Sequence, residues 1–321
     1  MGGRGQRLTI IGDVSVDLVL GPLSGWPQVG TETLIEQSEL RAGGAGANAA
    51  LAVGWLGGGS HLVSVVGSDE MGAWLGGQLR PLGASLTVCD APTTLSVGLL
   101  NSCGERTFLT TRGHLEALSY ELVRPSLSPA PDAEAIVLLS GVFLTPALRD
   151  SYPQLLRELQ ALGYQLALDT NWPPQGWSAA LRAEVAGWIS ACDHVLLNDL
   201  EVRSLADEED LGAAIAHLVP LLKPGASLLV KSGARGAIGV GDGRRCEYAA
   251  PEARIFDTIG AGDSFNAGYL LARLDGAGLA ASLAAGCRAA AAIISRFPRR
   301  SLKSGELAGL RVRTPAALEG A

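Results

Sequence analysis

The sequence predicts an α/β protein with three layers, a mostly parallel central sheet between two layers of helices, and a small second β-sheet acting as a lid. Three observations point there. Apolar runs at residues 135–139, 165–168, 194–197 and 227–230 alternate with helical segments at 147–162, 179–191 and 208–222, the pattern of βαβ units. The 321 residues include 42 glycines and are 47% hydrophobic, which fits a packed chain with many tight turns and not a disordered one. Stretches near 14–40 and 95–112 read as strands too polar to join a sheet buried on both faces.

The elements follow in order. Residues 8–11 are a short apolar run closed by Gly12-Asp13, and 14–20 alternate, giving a strand, a turn and a second extended piece. Residues 31–40 read as a polar, solvent-facing strand. Residues 43–57 carry Ala, Leu, Val and Trp at helical spacing and stop at a glycine cluster, as a helix C-terminus does. Residues 61–66 form a further strand, and 95–101 with 107–111 flank Gly104-Glu105 as a β-hairpin. No repeat, low-complexity tract or long linker interrupts the chain. Residues 1–321 are therefore expected to form one domain, with lid strands inserted from about 14–40 and 95–112.

Composition excludes several function classes. A net charge of −7 disfavours nucleic acid and anionic membrane as partners, since both reward basic surfaces. Only Lys223, Lys231 and Lys303 are lysines, so arginines and backbone amides must supply most contacts to anions. The five cysteines, Cys89, Cys103, Cys192, Cys246 and Cys287, form no C-x-x-C pair. That suggests neither a zinc site nor a disulfide framework, and a reducing compartment is expected. No secretory n-region or membrane-length apolar run occurs; the alanine-rich run at 280–294 contains Cys287 and Arg288 and reads as a buried helix. The expected setting is the cytoplasm.

The chemistry concentrates in Asp257-Thr258-Ile259-Gly260-Ala261-Gly262-Asp263-Ser264-Phe265-Asn266-Ala267-Gly268, read as following a strand and leading into a helix over 265–274. A small-residue turn at a helix start aims unpaired N–H groups at one point and binds anions; Gly260 and Gly262 let the backbone approach a phosphate. Asp263 stands where a carboxylate could take a proton from a hydroxyl, although by itself it reads first as a helix cap. No Gly-Lys pair exists, so there is no Walker-type P-loop, and Phe265 replaces the third glycine of a dinucleotide fingerprint.

Residues 257–268 resemble the C-terminal signature of the PfkB carbohydrate kinases, the ribokinase-like superfamily. Arg41-Ala42-Gly43-Gly44-Ala45-Gly46-Ala47-Asn48-Ala49-Ala50 resembles that family's N-terminal glycine-rich signature. Asn198-Asp199-Leu200-Glu201 resembles its N-x-x-E motif, and Lys231-Ser232-Gly233-Ala234-Arg235-Gly236 its nucleotide-side loop. The four matches occur in family order along nearly the whole chain. The resemblance implies a ribokinase-like three-layer sandwich that uses ATP and Mg²⁺ to phosphorylate a small sugar or sugar acid. Asp263 would be the base, and the backbone of Gly260, Ala261 and Gly262 the anion hole. Asn198 and Glu201 would hold magnesium through waters, with Lys231, Gly233 and Gly236 lining the nucleotide. Gly12-Asp13-Val14-Ser15-Val16-Asp17 resembles the first-strand motif, so Asp17 would bind sugar hydroxyls together with Gly43, Gly44 and Asn48. Arg112 or His114 would reach the substrate from the lid, and lid strands would pair two subunits into a homodimer.

Read without the family, each of these residues has a plainer role. Asn198 is a strand-end turn residue, Glu201 a solvated helix face, and Asp17 an exposed strand charge. Residues 231–236 are a surface turn, Gly43-Gly44 a turn before a helix, and Asn48 an amide satisfied by backbone. Asp169-Thr170-Asn171 resembles a D-x-N found in sugar-acid and fructose kinases, but Trp172-Pro173-Pro174 follows where those relatives often carry an Arg. No Glu follows Leu139-Ser140-Gly141, where ribokinases place one. The resemblance also implies a monovalent cation, potassium, at Asp257, the carbonyl of Ile259 and a loop after the last long helix, here the basic Ser295-Arg296-Phe297-Pro298-Arg299-Arg300.

Other functions compete with this one. A nucleoside kinase shares the fold, with Trp26, Trp55 and Phe108 as candidate stacking residues against a core role. A non-catalytic sugar- or nucleotide-binding module would need no base. Gly262-Asp263-Ser264 reads like a GDS-type esterase nucleophile, but that family's histidine follows the serine, and His61, His114, His194 and His217 all precede Ser264.

Overall fold

The computed structural model describes residues 7–101, 106–299 and 302–311. The first half runs β1 (Leu8–Gly12), β2 (Ser15–Leu23), β3 (Gln37–Gly43), α1 (Ala45–Trp55), β4 (His61–Gly67), α2 (Glu70–Leu79), β5 (Ser85–Cys89), β6 (Leu95–Asn101), β7 (Arg106–Thr110) and α3 (Tyr120–Val123). The second runs β8 (Ile136–Ser140), α4 (Pro146–Arg149), α5 (Tyr152–Ala161), β9 (Gln165–Asp169), α6 (Ala179–Ile189), β10 (His194–Asn198), α7 (Asp199–Ala206), α8 (Leu211–Leu218), β11 (Ser227–Lys231), β12 (Ala237–Gly241), β13 (Arg244–Tyr248), α9 (Ala261–Leu274) and α10 (Leu279–Ile294).

Nine strands form the central sheet in the order β13-β12-β11-β10-β9-β8-β1-β4-β5. Pairing is parallel from β5 to β11 and antiparallel at the β11–β12 and β12–β13 edge. Successive strand side chains point to opposite faces, so each apolar strand feeds two cores. Val137 and Leu139 of β8 join Val195 and Leu197 of β10 under α5, α6, α7 and α8, where Tyr152, Leu155, Trp188 and Ile215 pack. Ile136 and Leu138 join Leu196 and Leu229 on the other face, under α1, α2, α9 and α10, against Val53, Leu75, Leu270 and Leu283. This is the three-layer sandwich expected from the sequence. A second sheet of four strands, β3-β2-β6-β7, carries the lid strands. No helix of the described residues is long and apolar enough to cross a membrane.

Several elements differ from the sequence expectation. Residues 31–36 lie outside any strand; the β2–β3 ladder ends at Gly21↔Gln37, where Pro22 has no N–H to continue it. Gly43 closes β3 instead of opening a helix, and α1 starts at Ala45. The helix expected over 147–162 divides into α4 and α5, because Pro153, which has no N–H to continue a helix from α4, sits in the first turn of α5. The segment 208–222 starts its helix at Leu211, where the Asp210 carboxylate accepts the Ala213 N–H at 2.8 Å, and tightens to a 3-10 turn over Val219–Leu221 at Pro220. Helix α2 escaped the periodicity because Gly72, Gly76 and Gly77 dilute it; a Cβ on Gly72 would lie 2.0 Å from the Gly67 carbonyl oxygen. The residues between Tyr248 and Asp257 form no strand, and α9 begins at Ala261, four residues before the expected start. The tip of the β6–β7 hairpin, Gly104-Glu105, lies outside the described residues, as do Cys103 and Arg300.

The chain leaves β1 toward β4 and β5 on one side, then returns to β8, β9, β10 and β11 on the other. The sheet order therefore reverses between β1 and β8, and ligands of open α/β sheets bind outside the strand C-termini at such a point. There Gly12, Ser140 and Asp169 lie in register across β1, β8 and β9, and Asn198 is in register with Lys231 across β10 and β11.

Candidate active site

The turn before α9 forms because Gly260 adopts φ +73°, a left-handed conformation that favours glycine. Gly260 is the N-cap, so Asp263 occupies the third helical position and is not itself the cap. The Ala261 N–H bonds back to the Thr258 carbonyl and the Ser264 N–H to that of Gly260. The helix-start geometry leaves the amides of Gly262 and Asp263 between them without i−4 acceptors. Ser264 donates its hydroxyl to the Gly260 carbonyl at 2.7 Å.

Asp263 is buried, and its Oδ2 accepts the Asn48 side-chain amide at 3.1 Å. Burial raises its pKa to about 8, reinforced by the nearby Asp169 charge and opposed by Lys231 and Asn48. The Asn48 amide is thus satisfied by the carboxylate at the site's centre, not by backbone. Lys231 ends β11 and donates to Asp169 Oδ2 at 2.6 Å and to Asn266 Oδ1 at 3.4 Å. Its ammonium lies 3.4 Å from where a Cβ on Gly262 would stand, so it reaches the anion turn itself. Burial alone would lower its pKa, but the Asp169 and Glu201 carboxylates outweigh burial and raise it, keeping the ammonium charged. Asn266 also donates to Asp169 Oδ2 at 2.5 Å.

Asn198 and Glu201 form a reciprocal capping box on α7. The Glu201 N–H donates to Asn198 Oδ1 and the Asn198 N–H to Glu201 Oε2, both at 2.8 Å. Glu201 is buried, not a solvated helix face; desolvation first, and the Asp169 charge next, push its pKa up to about 7. Gly233 and Gly236 bound a 3-10 turn with positive φ, and the Ser232 N–H bonds to the Gly236 carbonyl at 2.8 Å. A Cβ at Gly233 meets open space, whereas one at Gly236 would lie 1.9 Å from the Tyr248 carbonyl oxygen. Gly236 thus also serves the packing of that turn against the end of β13.

On the lid side Asp17 is buried, not an exposed strand charge, and accepts the Ser15 hydroxyl at 2.8 Å. Burial raises its pKa to about 6 against the opposing Ser15 bond and Arg41 charge. A Cβ on Gly43 would fall 1.9 Å from the Asp17 carboxyl carbon, so only glycine lets this carboxylate lie there. Gly44 has φ +87°, with Asp13 O 2.7 Å from a Cβ placed on it.

Sequence reasoning gave no role to Asp13. Its Oδ1 accepts the Ala45 N–H at 3.0 Å and the Gly46 N–H at 3.4 Å, holding the start of α1 against the sheet-reversal point. Burial, more than those two amides, sets its pKa at about 6. A Cβ on Gly141 (φ +72°) would sit 1.9 Å from Asp13 Oδ1, which leaves no room for a side chain there. Asn171 Oδ1 accepts the Gly141 N–H at 2.8 Å, so the D-x-N segment braces the site. Its Asp169 pairs with Lys231.

Two lid residues have their side chains engaged within the chain. Arg112 is exposed and pairs with Glu116 at 2.9 Å. His114 is fully buried; its Nδ1 accepts the Thr94 N–H at 2.9 Å and its Nε2 lies 3.1 Å from the Val14 carbonyl oxygen, pinning the base of the lid. Trp55, the last residue of α1, packs half-buried against the core, while Trp26 and Phe108 are exposed.

The oxygens assigned to a monovalent cation are engaged by Arg299, which is 4% exposed. Its guanidinium donates to the carbonyls of Ile259 and Asp257 and lies 3.4 Å from Asp257 Oδ2. The Asp257 carboxylate also takes Arg41 Nη1 at 2.6 Å and the Ile259 N–H at 2.8 Å. This donor set does not fit a bound potassium ion, which needs those oxygens' lone pairs. The segment carries three lid contacts: Arg41 of β3 on Asp257, Gly98 of β6 against Ile259, and Arg106 of β7 donating to the Thr258 hydroxyl at 3.1 Å.

A helix-start anion turn facing a buried carboxylate, beneath a second sheet, is the equipment of a phosphotransferase with an alcohol acceptor. The family model for the pfkB family carbohydrate kinases matches residues 6–301, and the chain belongs to that family. It is 28% identical to a fructokinase of Salmonella typhimurium over 247 residues, covering 74% of this chain and 80% of that one. It is 29% identical to a 2-dehydro-3-deoxygluconokinase of Escherichia coli strain K12 over 197 residues, 55% of this chain and 60% of the relative. A ribokinase of Thermotoga maritima superposes with a TM-score of 0.75 at 21% identity, covering 94% of this chain and 98% of that one.

Proposed function

We propose that the protein transfers the γ-phosphoryl group of ATP to a hydroxyl of a small sugar or sugar acid, with Asp263 as the base. One observation carries this reading: Asp263 is buried at the third position of α9, oriented by Asn48, beside the unpaired Gly262 amide and the charge of the Lys231 ammonium, while the neighbouring Ala261 N–H is taken by the Thr258 carbonyl. The Gly262 amide and Lys231 face the migrating phosphoryl, and Asp263 takes the proton of the attacking hydroxyl. In-line transfer needs this pairing of charge stabilisation and base.

Asp17 accepts hydroxyl hydrogen bonds from the sugar, its carboxylate lying where Gly43 has no side chain and beside the turn that Gly44 lets pack against Asp13. The loop with Gly233 and Gly236 lines the nucleotide beyond Lys231. Among the described residues no three Asp, Glu, His or Cys side chains converge as a metal cage. Magnesium usually keeps waters and binds substrate phosphates, so Asn198 and Glu201 would hold it through waters. When bound it would add positive charge at the phosphates to that of Lys231, whose ammonium is already under the field of Asp169, Glu201 and Asp263. The similarity to a fructokinase and a 2-dehydro-3-deoxygluconokinase supports ketose-like acceptors. A cytoplasmic, reducing setting is supported by the free thiols of Cys89, Cys192, Cys246 and Cys287. A homodimer through the lid is supported by the fully exposed edge strand β7.

The test is ADP formation with ATP and Mg²⁺ across hexoses, pentoses, sugar acids and nucleosides. A sugar or sugar acid as the best acceptor by kcat/KM supports the reading. A nucleoside as the best acceptor reassigns the substrate, and acceptor-independent hydrolysis alone refutes it.

A further inference from the structure

We propose that Arg299 is a built-in cation that holds the phosphate-binding turn in place, so that the protein works without a bound monovalent metal ion. The turnover part of this inference rests on the kinase reading; the structural part does not. Asp257-Thr258-Ile259 leads directly into Gly260 and the start of α9, so its carbonyls fix where the anion-binding amides point. Two of those carbonyls and one carboxylate oxygen converge on a single position, an arrangement that requires positive charge. The Arg299 guanidinium stands there. One nitrogen serves Ile259 O, the other serves Asp257 O and faces Asp257 Oδ2.

The planar fork suits this geometry, since its N–H groups meet separate oxygens at fixed angles, which a spherical ion or a lysine does not reproduce. Nη1 also lies 3.5 Å from where a Cβ on Gly260 would stand, behind the N-cap and one turn from Asp263. Arg41, from β3 of the lid, grips the same Asp257 carboxylate at 2.6 Å. Asp257 is thus clamped between a guanidinium of the main body and one of the lid. Arg299 touches no expected substrate atom; it is a positioning residue acting through the carbonyls of residues 257 and 259.

The experiment compares KCl, NaCl and choline chloride at equal ionic strength. The readouts are the melting temperature of the ligand-free protein and ADP formation with its best acceptor. For the wild type the expectation is a rate within about twofold across the salts and a melting temperature that does not distinguish K⁺ from choline. For Arg299→Ala the expectation is a loss of about 100-fold or more in kcat, with about tenfold restored by KCl or guanidinium chloride and not by choline. Arg299→Lys keeps the charge without the fork and should fall between the two. A K⁺-selective rise in wild-type melting temperature or rate overturns the proposal, as does an Arg299→Ala enzyme of unchanged kcat. If Arg299→Ala does not fold, the wild-type salt series and Arg299→Lys still decide. If no acceptor is phosphorylated in any salt, the kinase reading fails, and the melting series judges Arg299 separately.

Discussion

The two sheets of the molecule are built on opposite terms. Every residue of β8 in the central sheet is buried, with cores on both faces, whereas every residue of β7 in the four-stranded sheet is exposed. The central sheet fixes its strand ends rigidly, and Lys231 and Asp169 project from those ends. The smaller sheet has a one-sided, partly wet surface and brings Asp17 and Gly43 to the site. Phosphoryl transfer asks for preorganised charge, which suits the rigid sheet; acceptor recognition and exclusion of water suit a cover that can move. The seam between them is the segment 257–259, held by Arg299 from one side and by Arg41 and Arg106 from the other.

If this division of labour holds, substitutions on the two sheets should fail differently. Of substitutions on the two sheets, the larger effect on kcat is expected for Lys231→Met. It removes the ammonium beside Asp169 and the anion turn, and breaking a buried pair in this way costs about 3–5 kcal/mol. Steady-state kinetics should show kcat falling about 100-fold or more with the acceptor KM little changed. Gly43→Ala should do the reverse, because its Cβ would displace the Asp17 carboxylate. An acceptor KM raised about tenfold or more with the ATP KM preserved is the expected signature. Equal rises in both constants would dissolve the distinction between the sheets.

A smaller effect concerns stability. In the ligand-free protein the Asp263 carboxyl has its pKa raised from 3.8 to about 8. A raised carboxyl binds more protons folded than unfolded, so its contribution is fully present below pH 3.8 and is lost as pH rises toward about 8. Asp263→Asn should therefore stabilise the ligand-free protein by about 1–3 kcal/mol at pH 8 and much less at pH 5. Denaturant unfolding at the two pH values measures this, and a variant less stable than the wild type at pH 8 would contradict it.

What the sequence disclosed depended on how local each signal was. The βαβ alternation survives as contiguous apolar runs, and the turn before α9 is spelled out within a few neighbouring residues. The Lys231–Asp169 and Asn266–Asp169 bonds join residues 62 and 97 positions apart, which no periodicity reveals. Asn48 reads as a sugar ligand; that its amide also meets Asp263, 215 positions away, no local pattern shows. Asp13 looked like a turn residue because its partners, the amides of α1, lie 32 and 33 positions downstream. Arg299 was visible only as part of a bulky basic loop; its meaning comes from the convergence of carbonyls from residues 257 and 259. The lid histidine misled for the opposite reason: a polar residue beside a hairpin reads as surface or substrate contact until the backbone groups around it appear.

The central claim is that Asp263 is the base of a phosphoryl transfer, and one comparison tests it most directly: ADP formation by Asp263→Asn against wild type with the best acceptor, with ATP affinity measured on both by calorimetry. The account predicts a turnover reduced by about 10³-fold or more with ATP affinity within about threefold of wild type. Turnover within about tenfold of wild type would contradict it.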